Sequence, residues 1–230
     1  MKIEIKKLSK HTGVLIKNFD CSKKINSREV DYLKSLIQEK HFICFKNQNL
    51  NENSLIKFSK NFGNLESYPE KDKTKNKIEI FNVANVSNEG KHLKENDPRV
   101  VLQKNNSRWH TDSSYRYYPA LFSLLYGKEV LPKKAKGGQT QFSNMLLAYQ
   151  NLSEKKKKLF EPLHQVHSYN DIRRLEPSLP ELSLNEKSNF PPVTHPITRV
   201  HPERSHARSI YFTSNTSLEI GGMSLEKGRK

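Results

Sequence analysis

The stretch Ser107 to Tyr115, "SRWHTDSSY", decides how this chain is read. It sets a histidine and an aspartate two positions apart, His110 and Asp112, directly behind the chain's single tryptophan, Trp109. In an extended segment side chains alternate between faces, so His110 and Asp112 would project together while Thr111 turns away. A neutral imidazole beside a carboxylate supplies two legs of the 2-His-1-carboxylate arrangement. That arrangement holds non-haem Fe(II) and leaves positions open for co-substrate and oxygen. Alone, His-x-Asp is also the sequence of a solvent-exposed polar turn, so its surroundings decide.

A chain of 230 residues, 28% of them charged, is long enough for one sizeable domain. Its mean hydropathy of -0.82 suits a protein in water, and no run approaches the ~18 apolar residues of a membrane span. The N-terminus "MKIEIKKLSK" alternates and lacks the apolar centre of a signal peptide, so a strand and a cytoplasmic location are expected. Cys21 and Cys44 match no metal or redox spacing; Cys44, inside the apolar "HFICF", is expected to be a buried free thiol. The net charge of +16 raises the question of nucleic acid. Yet 30 lysines stand against 10 arginines and beside 21 asparagines, the mark of a general Lys and Asn preference. The tight basic runs are confined to "KDKTKNK" (71–77) and "EKKKK" (154–158), without the interleaved Arg and aromatics of nucleic-acid readers. No nucleic-acid or membrane partner is expected.

Periodicity predicts a helix over 27–40, with Val30, Leu33, Leu36 and Ile37 on one stripe and Ser27 as its N-cap. "HFICF" (41–45) predicts a short buried strand. A second helix is expected within 51–64, carrying Leu55, Ile56, Phe58 and Phe62 and stopped by Gly63. Strands are expected at 78–86, 120–127, 138–142, 163–169, 195–200 and 209–214, with one helical piece across 144–161. Residues 170–194 are rich in Pro and Ser and predict a long loop or lid. Helices followed by many short strands predict an α+β, mainly β, single domain over 1–230: a sandwich or barrel with flanking helices.

The longer stretch "WHTDSSYRYYPALFSLLYGKEVLPKKAKGGQTQFSN" (109–144) resembles the core of the TauD/TfdA family of iron- and 2-oxoglutarate-dependent dioxygenases. Trp109-His110-Thr111-Asp112 matches that family's Trp-His-[Ser/Thr]-Asp motif, and Gly137-Gly138-Gln139-Thr140 its Gly-Gly-x-Thr. "HTGVLIKNFD" (11–20), "HFICFKNQNLNENSLIKFSKNFGNLE" (41–66) and "HPITRVHPERSHARSIYF" (195–212) resemble further family segments in the same order. The resemblance implies a jelly-roll (double-stranded β-helix) core whose mouth holds Fe(II). His110 and Asp112 match the first two ligands, and Thr140 matches the threonine whose hydroxyl meets a carboxylate of 2-oxoglutarate. With O2, such an enzyme yields succinate and carbon dioxide and hydroxylates a small anionic substrate, here expected to be a carboxylate.

Two family features are not in the chain: a downstream third-ligand His and, after it, an Arg that clamps the far end of 2-oxoglutarate. The chain stops at "GGMSLEKGRK" (221–230), which reads as a cap at Ser224 and a first helical turn too short to stand alone. The expectation is therefore a domain incomplete at its C-terminus, with the last jelly-roll strands truncated. A whole chain with a substitute ligand would draw on His195, His201 or His206; the first two match the family's non-ligand His-Pro strand. His164 and His167 read as half-buried strand residues, and Arg199 and Arg208 match nothing functional. "NVSNEGK" (85–91), "HTDSSY" and "GGMSLEKGR" (221–229) resemble the branch of the family acting on aryloxyacetates. "ESYP" (66–69) lacks the histidine of the taurine-type branch. Lys71 and Lys91 match lysines of the aryloxyacetate branch that would meet a substrate carboxylate, and Tyr115, Tyr117 and Tyr118 could line the mouth. The competing reading is a non-catalytic anion-binding module that kept the fold and lost the chemistry. Self-association into a homo-oligomer is left open.

Supplied with Fe(II), ascorbate, 2-oxoglutarate and candidate acids, the purified chain is expected to release no succinate. A bidentate, charge-assisted Arg contact to a carboxylate is not readily replaced by Lys. Turnover that disappears in His201→Ala or His206→Ala would instead reveal a substitute ligand.

Overall fold

The pattern "EIKK" and the apolar "VLIK" produce β1 (Glu4–Lys7) and β2 (Val14–Lys17), which pair antiparallel in a computed structural model of the chain. The structure describes residues 3–66, 79–87, 89–132, 134–213 and 216–228. They divide into two units, one of residues 1–81 and 122–144, the other of residues 82–121 and 145–230.

In the first unit β2 also pairs parallel with β3 (Ile43–Phe45), giving the order β1-β2-β3. A parallel pair needs a crossover, supplied here by α1 (Ser27–Lys40). The cap falls one residue before the expected Ser27: Asn26 accepts from the Glu29 N–H at 3.0 Å, and Glu29 reaches back to the Asn26 N–H at 2.8 Å. That reciprocal pair satisfies two amide donors at once, which Ser27 could not do from inside the first turn. α2 (Glu52–Lys60) is capped likewise by Asn51 and Ser54. Val14, Ile16, Phe19, Ile25, Leu33, Leu36 and Phe58 form the buried core, with Phe19, Phe45, Phe58 and Phe62 in edge and tilted ring contacts. Cys44 is exposed, contrary to expectation, because alternation turns it outward while Ile43 and Phe45 pack against the core. The buried thiol is Cys21, and burial pushes its pKa up to about 12, which keeps it unreactive.

In the second unit α3 (Pro98–Asn105), α4 (Met145–Gln150) and α5 (Glu154–Phe160) precede β4 (His164–His167). A 3-10 turn at Tyr169–Asp171, α6 (Ile172–Leu175) and α7 (Leu184–Asn189) follow, then β5 (Val193–Pro196), β6 (Thr198–His201), β7 (Arg204–Ile210), β8 (Ser217–Ile220) and α8 (Leu225–Gly228). One antiparallel sheet runs β5-β4-β8; β6 and β7 form a hairpin on which α4 packs.

Several expectations fail here. Residues 79–85, 120–127 and 138–142 are not strands, and only Val86 makes an isolated bridge, to His92. An apolar run becomes a strand only when another chain segment offers it a ladder, and none is formed for these runs among the described residues. The helical stretch 144–161 is two helices, because Ser153 caps a new one by accepting from the Lys156 N–H. Residues 170–194 hold helical turns and a strand instead of one structureless loop. α3 was not read from the sequence at all, although Asp97 caps it and Pro98 opens it. Among the described residues the fold is thus mixed α/β, with small sheets, and not mainly β.

Gly13 carries φ 84 where β2 begins, its N–H donates to the Lys40 carbonyl at 2.7 Å, and the Phe42 ring lies directly over it. Phe42 in turn stacks on Phe142 with centroids 4.1 Å apart. Gly13→Ala is expected to destabilise the protein by about 2–4 kcal/mol, from the left-handed backbone and the displaced ring together. Chemical denaturation checks this, and an unchanged midpoint would show that the ring moves aside freely.

Candidate functional site

α3 ends at the buried Asn105, whose side chain donates to the Val101 carbonyl at 3.1 Å and accepts from Arg108 Nε at 3.3 Å. The chain then runs irregularly through Trp109–Thr111 and turns at Asp112–Tyr115, with Ser113 at φ 57 and the Arg116 N–H donating to the Ser113 carbonyl at 2.9 Å. It is this turn, not strand alternation, that brings His110 and Asp112 together: His110 Nε2 lies 3.2 Å from Asp112 Oδ1. His110 Nδ1 lies 2.7 Å from the Arg108 carbonyl oxygen. A carbonyl only accepts, so Nδ1 carries the hydrogen and Nε2 turns its lone pair toward the carboxylate. Two lone pairs facing each other at that distance call for a cation between them, either a proton or a metal. Accordingly the His110 pKa is raised, first by the hydrogen bond to Asp112 and also by the Arg108 carbonyl, with partial burial opposing. A divalent metal fits this donor set, with the Arg108 carbonyl as the outer partner that orients the imidazole. Asp112 remains open to solvent, its side chain 60% exposed.

The turn rests on a polar floor. Ser114 Oγ lies 3.0 Å from Thr216 Oγ1, both buried, and the Thr216 carbonyl accepts from the Ser168 N–H at 2.7 Å. Tyr115 packs on Tyr169 and Phe190, and the Arg116 guanidinium lies 5.2 Å over the Phe190 ring. His195 Nε2 meets the Arg116 carbonyl oxygen at 3.0 Å. The rings of His167, His195 and Tyr211 pack on one another at 5.2–5.6 Å, and the Arg199 guanidinium lies 4.3 Å over Tyr211. His167, expected to be half-buried, is fully buried, while His164 is exposed. Burial, and then the neighbouring His195 and Arg199, push the His167 pKa down to about 4.

The other expected residues fall elsewhere. Thr140 belongs to the first unit, on an exposed segment just after Gly137 and Gly138. Both glycines have positive φ, at 92 and 72, and a Cβ on Gly138 would come within 2.6 Å of Leu131 Cδ1. Both positions thus take a left-handed backbone that glycine adopts without strain. Lys91 is exposed on the turn closed by the Ser87 N–H donating to the Lys91 carbonyl. Lys71 lies outside the described residues. Tyr117 and Tyr118 are largely exposed and touch each other edge-on. His201 Nδ1 accepts from the Glu203 N–H, His206 is exposed, and Arg208 pairs with Glu161 at 2.9 Å. Among the described residues no group of three or more His, Cys, Asp or Glu is placed to hold a metal ion, and no helix is long and apolar enough to cross a membrane.

Comparison with known proteins places the chain among the 2-oxoglutarate-dependent dioxygenases. It belongs to the taurine catabolism dioxygenase TauD, TfdA family, whose model matches residues 4–230. An alpha-ketoglutarate-dependent 2,4-dichlorophenoxyacetate dioxygenase of Cupriavidus pinatubonensis is 28% identical over 218 residues, covering 93% of this chain and 74% of the relative. The enzyme of the same description from a Burkholderia species is 30% identical over 209 residues, covering 89% of this chain and 68% of the relative. A crystal structure of AAD-2 in complex with Mn(II) and N-oxalylglycine superposes with a TM-score of 0.84 at 29% identity. That superposition covers 100% of this chain and 77% of the other.

Because His167 titrates near 6.5 when exposed and only near about 4 when folded, the unfolded chain binds a proton in that window that the native protein does not. Stability is therefore full above pH ~6.5 and falls as the pH drops toward 4, by about 3 kcal/mol over the whole window. Thermal unfolding at pH 7.5 and pH 5 measures the slope. His167→Phe is expected to flatten it, and an equally steep slope in that variant would exclude His167 as the source.

Proposed function

We propose that this chain carries two metal ligands and one co-substrate contact of a dioxygenase that hydroxylates a small organic anion. In this reading His110 and Asp112 are Fe(II) ligands, and Thr140 donates its hydroxyl to a carboxylate of 2-oxoglutarate. Iron and 2-oxoglutarate, when bound, supply the activation of O2 and the oxidising power for the hydroxylation. The observation that carries the proposal is the 3.2 Å pair of His110 Nε2 and Asp112 Oδ1, with Nδ1 committed to the Arg108 carbonyl.

The residues' own tasks are to bind, to orient and to attract. Arg108 fixes the His110 tautomer, and the turn at Ser113 sets the carboxylate opposite the imidazole. The likeness to the Mn(II)- and N-oxalylglycine-bound structure supports a jelly-roll core, and the names of the two relatives support an aryloxyacetate-like carboxylate as substrate. Lys91 and Lys71 would then be the cations that meet the substrate's carboxylate. Two free cysteines fit a reducing cytoplasm. The relatives are dioxygenases, which lends nothing to a non-catalytic binding module.

Mn(II) binding, followed by the loss of its free-ion EPR signal, tests the ligand pair. His110→Ala and Asp112→Ala are each expected to weaken binding by more than about 100-fold, beyond the ~10–100-fold typical of outer-shell changes. Unchanged affinity in either variant would refute the assignment.

A further inference from the structure

We propose that His195 is a positioning residue of the metal site, holding the turn that carries Asp112 through the backbone of Arg116. The inference rests on the reading of His110 and Asp112 as the ligand pair. His195 sits in β5, buried, opposite Gln165 of β4. Its Nε2 lies 3.0 Å from the Arg116 carbonyl oxygen, and since a carbonyl only accepts, Nε2–H is the donor. The ring stands edge-on to His167 at 70° and to Tyr211 at 83°, so packing on both sides aims that N–H.

The turn needs such a hold. Residues Asp112–Tyr115 lie in no strand, and within the turn the Arg116 N–H donates to the Ser113 carbonyl while Ser113 is left-handed. From the floor beneath, Thr216 holds Ser114 through its hydroxyl, and His195 holds Arg116. The two contacts grip the chain two and four residues after Asp112. A metal accepts ligand positions only within about 0.2 Å, so a carboxylate on an irregular turn depends on whatever sets the turn. Losing the His195 donor would remove that hold on the Arg116 carbonyl and free the turn to shift. His195 itself is no ligand in this reading: its Nε2–H is spent on the Arg116 carbonyl, and the backbone of Ser114 is a second hydrogen-bond partner of the ring.

The test combines Mn(II) titration with amide hydrogen exchange on the metal-free chain, for His195→Leu, His195→Gln and His110→Ala. His195→Leu is expected to lower Mn(II) affinity about 10–100-fold. It should also speed exchange of the Arg116 amide while the amides of the β6–β7 hairpin keep their rates. His195→Gln, whose amide N–H reaches the place of Nε2, should recover most of both. Should the Leu variant fail to fold, His195→Asn, too short to reach, takes its place against Gln. His110→Ala losing Mn(II) while His195→Leu binds as the parent does would overturn the positioning role. So would equal losses in the Leu and Gln variants with exchange rising uniformly across β4, β5 and β8, which is core damage. His110→Ala binding Mn(II) normally would sink the ligand reading itself, and the proposal with it.

Discussion

An imidazole nitrogen and a carboxylate oxygen held 3.2 Å apart need a positive charge between them, and the site is organised around that need. His110 cannot relieve it by exchanging tautomers, because Nδ1 is already committed to the Arg108 carbonyl. The pair therefore seeks a cation. A proton satisfies it, which is why the His110 pKa is raised, and in the proposed reading a metal would displace that proton. Neither residue is unusual: the Arg108 carbonyl holds the imidazole, while the carboxylate is set by the turn and stays open to solvent.

Behind the turn lies a partly polar interior. The first unit is held by Val, Ile, Leu and Phe packing, which tolerates small adjustments. The second adds buried polar side chains, Ser114, Gln165, His167, Thr213 and Thr216, to apolar ones such as Ile172, Leu182 and Ile197. Gln165 shows how such residues repay their desolvation: its amide donates to Ser217 Oγ at 2.8 Å, and its carbonyl accepts from the Thr213 N–H at 3.3 Å. Hydrogen bonds are directional where apolar contacts are not, so this interior specifies positions more narrowly. Thr216 belongs to the same segment and reaches Ser114, so the polar floor extends to the turn behind Asp112. Asp171, buried and bidentate to Arg174 at 2.8 Å, fixes the segment after β4 in the same manner.

Much of the frame was legible locally. α1 occupies the predicted span because four apolar residues at helical spacing lie between an Asn-x-x-Glu cap and a left-handed His41. The Gly-Gly pair before Thr140 is legible as a motif, and its two positive φ angles give the motif its physical reason. The misread strands at 120–127 and 138–142 share one cause: β-propensity reports a side chain's fit to a pleated surface and says nothing of whether a neighbour arrives. Cys44 failed differently, since both its neighbours are apolar and only the direction of the strand shows which side is wet.

By itself the sequence determined the candidate ligand pair, the two N-terminal helices and the resemblance to a dioxygenase family, because each is written within a few consecutive residues or in ordered motifs. The tertiary structure decided which residues stand behind the pair. Ser114 meets Thr216 across 102 positions and His195 meets Arg116 across 79, distances at which no local pattern announces a partner. His195 looked like one more strand histidine in a His-Pro segment. Burial between two rings, which only the folded chain supplies, aims its Nε2–H at the Arg116 carbonyl, just behind Asp112.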